Sequence, residues 1–375
     1  MARVAKFAAL GFALAFAALL TQSRDLVYPS HGAVGFDFVT FWAASDLALS
    51  GHAAQAYDMT AIAAAERRAL PQVADVYLWH YPPPFQLVVL PLALVPYLWA
   101  YGLWLALWLA VYAATCRAAF REPAPFWLAI GASAVYVNVL HGQNGLLTAA
   151  LAAGGLLLLE RRPLLAGLLI GALCYKPHLG LPLGVLLLAG GYWRAVAGAA
   201  LAVVGLCALS ALALGVDVWR AFFANAETAR AVLESGAVPW HKMASLFATV
   251  RLAGGGVGLA YIVHGLAALA VLALTVLAWR GRGPLDLRIA LAVMAAVLVS
   301  PYLFDYDLAV TVPALCLLLR DGFARGWQPG MRPAIVVLWL APATLSYVAE
   351  ATHVQLLPVA LLAVWMLTWQ RLRVA

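Results

Sequence analysis

Residues 195–215 read AVAGAALAVVGLCALSALALG, twenty-one positions with no charge and a single hydroxyl. In hydrocarbon such a run satisfies its backbone only as a helix, and at about 1.5 Å per residue it reaches across a bilayer core of about 30 Å. Residues 257–279, VGLAYIVHGLAALAVLALTVLAW, repeat the pattern with one histidine. Working outward from these two, apolar runs recur at about 4–20, 97–116, 126–140, 145–159, 163–175, 179–190, 287–303, 306–320, 333–348 and 354–370. Several are short for a crossing, so their ends extend into polar neighbours or the helices are broken. Residues 87–96 are apolar but few, and are interrupted by Pro91 and Pro96. They read as a re-entrant or interfacial segment.

The 375-residue chain is 65% hydrophobic and 10% charged, with mean hydropathy +0.92. Soluble domains carry about 25% charged residues. The expected fold class is therefore all-α, a polytopic membrane protein of about twelve transmembrane helices. It forms a single membrane domain, 1–375, with two long extracytoplasmic loops at 21–86 and 216–256. The apolar N-terminal run reads either as a cleaved signal peptide or as an uncleaved first span. The second is favoured because it keeps the number of crossings even.

Charge orients the chain. With the N-terminus inside, the cytoplasmic segments hold 15 of 23 basic and 4 of 16 acidic residues, a net of +11. The opposite side is left at −4, and both termini lie in the cytoplasm. The overall +7 is thus explained by membrane anchoring, and nucleic acid is not an expected partner. Cys116, Cys174, Cys207 and Cys316 sit in or beside apolar runs without metal spacing, so neither a disulfide framework nor a metal site is indicated.

The polar residues with chemical use gather on the outer side. Asp37 lies among aromatics in Gly35-Phe36-Asp37-Phe38. Desolvation there would raise its pKa and suit it to act as a general base; the bland reading is an N-cap or solvated loop acid. Phe41, Trp42, Leu47 and Leu49 suggest a helix on the membrane surface, with Trp42 available to stack on a sugar. Asp58 reads as a turn cap, and Pro82-Pro83-Pro84 as a rigid helix entry.

His141, Gln143 and Asn144 crowd one turn with more donors than a turn needs, fit for sugar hydroxyls or phosphate. Lys176 and His178 sit on the acidic side against the charge rule, either snorkelling or clamping a lipid phosphate. In the second loop Arg220, Glu227, Arg230 and Glu234 have helical spacing, which fits ion pairs along an interfacial helix. Arg220 and His241 are further phosphate candidates, and Trp240 is an interface anchor or sugar platform. Asp305, Tyr306 and Asp307 suit carbohydrate hydroxyls. A cation there would lack a third oxygen ligand nearby.

Taken in order, Phe36-Asp37-Phe38 with Trp42, Gly51 to Tyr57-Asp58, Tyr81-Pro82-Pro83, Gly142-Gln143-Asn144, Lys176-Pro177 and Ser300-Pro301 resemble glycosyltransferase family 87. These are polyprenyl-phosphate-sugar-dependent enzymes of the GT-C superfamily, which include mycobacterial phosphatidylinositol-mannoside mannosyltransferases. The resemblance covers about residues 30–320. It implies a GT-C-like helical fold in the bacterial cytoplasmic membrane with catalysis on the outer face. It implies Asp37 as the base, a polyprenyl-phosphate-monosaccharide donor and a glycan or glycolipid acceptor. The donor is a substrate, and no cofactor is expected. The family usually places histidine just after Ser-Pro, where this chain has Asp305, Tyr306 and Asp307. That departure bears on the acceptor and the sugar. The rival readings are a transporter or flippase of lipid-linked sugars, or a polysaccharide polymerase or ligase. A transporter would place its charges near the midplane. A polymerase or ligase would line its outer loops with arginine, whereas these are net acidic.

Overall fold

The structure is a computed structural model that describes residues 2–30, 32–120 and 125–374. Arg121 and Glu122, which belong to the expected cytoplasmic charges, lie outside the described residues. Among the described residues the regular structure is helical, with three isolated β-bridges and no strand. Four helices are long and apolar enough to cross a membrane: Ala2–Gln22, Tyr97–Phe120, Trp193–Leu214 and Val257–Trp279. Met331–Leu340 and Pro342–Thr352, bent by 76° at Pro342, make a fifth if they form one span. Helices occur at the other expected positions but are shorter, such as Gly145–Leu158 and Pro177–Ala189. Among the described residues four helices, or five with the bent pair, meet the length and composition of a full span, and the other runs form shorter apolar helices.

The shortening has local causes. Pro163 and Pro177 start helices, and the Arg161–Arg162 turn separates two others. Pro83 and Pro84 occupy the first turn of Pro83–Val89, which stops near Pro91.

The centre of the molecule is Leu285–Val299, buried along most of its length. Ala2–Gln22 is the opposite case, with 6% of its apolar window buried, so its side chains face the surroundings on nearly every side. Elsewhere small residues set the spacing. A Cβ on Gly167 would stand 1.9 Å from the Ala195 carbonyl oxygen, and one on Gly198 2.3 Å from that of Leu164. Pro163–Gly171 and Trp193–Leu214 thus touch backbone to backbone, the small-residue packing that holds helices together in lipid.

The helix Phe38–Leu49 turns eight of its twelve side chains into protein, including Phe38 and Phe41. Those aromatics join a cluster with Trp79, Tyr81, Phe85 and Trp104. The apolar residues that suggested a surface helix are thus spent largely on internal packing.

Candidate active site

Two turns build the centre of the site. In the first, Gly35 (φ +83°) and Phe36 (φ +38°) both adopt left-handed backbone before Asp37. For a bulky residue such as Phe36 that conformation costs energy, and strain of this kind gathers at functional sites. In the second, Gly142 (φ +58°) ends Ser133–His141. A Cβ at Gly142 would lie 2.5 Å from Phe38 Cβ, so only glycine lets the two turns nest. Asn138 locks the second turn: with its side-chain amide turned to the orientation that satisfies both ends, the nitrogen donates to the Gln143 carbonyl and the oxygen accepts from Gly145 N–H, both at 2.9 Å.

Nesting brings His141 and Gln143 to Asp37. Gln143 Nε2 donates to Asp37 Oδ2 at 3.0 Å, and its Oε1 accepts from the Tyr81 hydroxyl at 3.0 Å. His141 Nδ1 stands 3.4 Å from Asp37 Oδ2. Asp37 precedes the helix Phe38–Leu49 but makes no capping hydrogen bond, so the N-cap reading fails. Its side chain keeps 29% exposure and is reachable from outside. Burial pushes its pKa up, yet His141, Gln143 and Lys242 together outweigh burial and hold it below the usual carboxylate value. The expected rise in basicity is therefore corrected: this carboxylate is stabilised in its charged form.

The late segment forms the facing wall. The 3-10 helix Asp305–Thr311 is buried throughout. The Tyr306 ring lies 5.8 Å from His141 and stacks on Phe304 at 5.3 Å. Asp305 accepts from Ser346 Oγ at 2.7 Å and from Tyr306 N–H at 2.9 Å, while burial raises its pKa. Asp307 pairs with Lys176 in a buried ion pair, and the Lys176 ammonium lies 5.9 Å from the Tyr306 ring. Lys176 thus neither snorkels nor stands as an uncompensated cation. His178 packs edge-on to Tyr302 at 6.4 Å. Asn144 is fully buried at the start of Gly145–Leu158.

Four candidates are engaged elsewhere. Trp42 donates its indole N–H to the Val95 carbonyl at 3.1 Å. Trp240 donates to the Leu233 carbonyl at 2.8 Å, with the Arg251 guanidinium 4.4 Å over its ring. Arg230 forms an exposed ion pair with Glu234, as their spacing suggested, while Arg220 pairs with Asp217, a partner outside the expected set. His241 is held through its carbonyl, which accepts from Gln355 Nε2 at 2.6 Å. Asp58 caps Met59–Ala69 by accepting from Ala61 N–H at 2.8 Å.

Two residues emerge that the motifs did not single out. Lys242, half-buried beside His241, acts electrostatically on both Asp37 and Asp305. Glu66 is fully buried and accepts from Tyr77 N–H at 3.2 Å. Burial, with a smaller push from Asp37, raises its pKa to about 8. The signal for Glu66 was in the sequence, since it follows Ile62 by four residues and shares its inward face. Among the described residues no group of three or more His, Cys, Asp or Glu is placed to hold a metal ion.

No curated protein and no solved structure matches the chain. The family model for glycosyltransferase family 87 matches residues 79–301. The matched region contains Tyr81, Gln143 and Lys176, while Asp37 precedes it and Asp305 follows it. With more than half its length so matched, on an apolar helical scaffold, this chain belongs to glycosyltransferase family 87 and is a membrane glycosyltransferase.

Proposed function

We propose that the enzyme moves a monosaccharide from a polyprenyl-phosphate donor to a hydroxyl of a glycan or glycolipid acceptor, with inversion. The reaction takes place on the outer face of the bacterial cytoplasmic membrane. The shorter helices complete about twelve crossings and leave both termini in the cytoplasm. The observation that carries this reading is the Asp37 carboxylate, fixed by Gln143 and paired with His141 yet partly open to solvent.

The chemistry follows from the leaving group. The acceptor oxygen attacks the anomeric carbon and gives its proton to Asp37. The bond from that carbon to the phosphate oxygen breaks, and its electron pair leaves with polyprenyl phosphate. A phosphate departs without a general acid, so one base and a cationic environment suffice. A single in-line displacement inverts the anomeric centre. Gln143 and His141 fix the base in position, and the wall of Asp305, Tyr306 and Asp307 borders the sugar and acceptor. A depressed pKa makes Asp37 a weaker base but keeps it deprotonated across the neutral range, where it must accept the proton.

The test is donor choice. Purified protein in detergent is offered a labelled polyprenyl-phosphate-sugar or the corresponding nucleotide sugar, with a membrane extract as acceptor. The lipid donor should be consumed, with the product anomer opposite to it and the nucleotide sugar untouched. Consumption of the nucleotide sugar alone would sink the donor assignment.

A further inference from the structure

We infer that Lys242 is the cationic contact for the donor phosphate, a role the sequence suggests for Lys176; this rests on the polyprenyl-phosphate reading above. Lys176 cannot supply a net positive charge, because Asp307 neutralises it in a buried pair. Arg220 is spent on Asp217 at an exposed position. Lys242, by contrast, makes no ion pair and no side-chain hydrogen bond among the described residues.

Its location is fixed by backbone. Lys242 ends the 3-10 turn Trp240–Lys242, and the next residue, Met243, forms an antiparallel bridge with Phe304. Ala244 N–H donates to the Leu303 carbonyl at 2.8 Å, and Gln355 holds the His241 carbonyl. Lys242 and Asp305 therefore flank the same bridge. From Phe304 the line of contacts runs through the Tyr306 ring to His141 and on to Asp37. A phosphate approaching the base meets the charge of Asp37, an ionised carboxylate, with no cation left over from the Lys176 pair. The uncommitted ammonium on this wall offsets that repulsion. Lys242 is half-buried, so its charge acts in a medium less screening than water, yet it remains reachable.

The experiment measures binding of a short-chain polyprenyl monophosphate, without sugar, to the whole protein in detergent. Wild type is compared with Lys242→Gln and Lys242→Arg, and thermal melting reports folding of each. Loss of one charged hydrogen bond corresponds to about 10- to 100-fold weaker binding in Lys242→Gln. Lys242→Arg, which keeps the charge, should restore most of it. If Lys242→Gln binds as wild type does, the inference falls while the donor reading stands. It falls equally if that variant only moves the acid limb of the pH–rate profile, which is the mark of a residue that merely tunes Asp37. Wild type that fails to bind the polyprenyl phosphate overturns the donor reading, and the inference with it.

Discussion

Lys176 and Asp307 form a pair whose value lies in completeness. Both side chains are about 5% exposed, so each is expensive without the other. Removing one partner of a buried pair leaves an uncompensated charge and costs about 3–5 kcal/mol, whereas replacing both by apolar groups is often nearly neutral. Lys176→Met should therefore lower the melting temperature sharply in detergent, and Lys176→Met with Asp307→Leu should recover most of the loss. Equal melting of the single variant and wild type would show that the pair contributes little. This pairing was not legible in the sequence, because its partners are 131 residues apart. The expected sidedness marked Lys176 as unusual; only the fold shows that Asp307 meets it. The grouping of His141 and Gln143 with Asp37 was half legible. Each turn announces itself by its glycines and polar residues, but the nesting that joins them depends on Gly142 packing against Phe38. The direction of the Asp37 shift was misread for the same reason: an aromatic setting predicts desolvation, and the neighbours that reverse it come from a distant turn.

At the scale of elements, the segment between the first two long helices is held by a group with a pH dependence of its own. The Met59–Ala69 helix presents Glu66 inward, and its carboxylate accepts from Tyr77 N–H. The Tyr77 hydroxyl in turn accepts from Ala33 N–H at 3.4 Å, in the stretch leading to Asp37. Because burial raises the folded pKa of Glu66 from its ordinary 4.5 to about 8, folding favours the protonated acid. Its contribution is fullest below the unfolded value, and falls as pH rises through the window from there to about 8. The melting temperature should decline from about pH 4.5 to about pH 8 and level off above it, and Glu66→Gln, which stays neutral, should flatten that decline. An identical pH slope in the variant would remove Glu66 as its cause. Helix positions themselves were legible, since apolar runs and prolines mark them. Their lengths were less so: a run of apolar residues does not show where Pro163, Pro177 or the bend at Pro342 stops the helix.

For the whole molecule, the apolar excess alone dictates a membrane protein, because no soluble surface can be made from so few charges. The ordered series of turns pointed to the family, and the match over residues 79–301 shows it. What composition could not convey is how the polar residues of four separate turns reach one wall. That convergence depends on the bridge between Met243 and Phe304 and on the nesting of residues 35–37 with 141–143. The proposed mechanism stands or falls on which acid takes the proton. The direct measurement is single-turnover sugar transfer by Asp37→Asn, with Asp305→Asn alongside and polyprenyl-phosphate binding recorded for both. Asp37→Asn, which loses a charge that repels the phosphate, should bind donor at least as tightly as wild type and transfer about 10²- to 10⁴-fold more slowly, the usual loss when a general base is removed, while Asp305→Asn retains the chemical step. Wild-type transfer by Asp37→Asn, with Asp305→Asn inactive, would contradict the mechanism and move the base to the late wall.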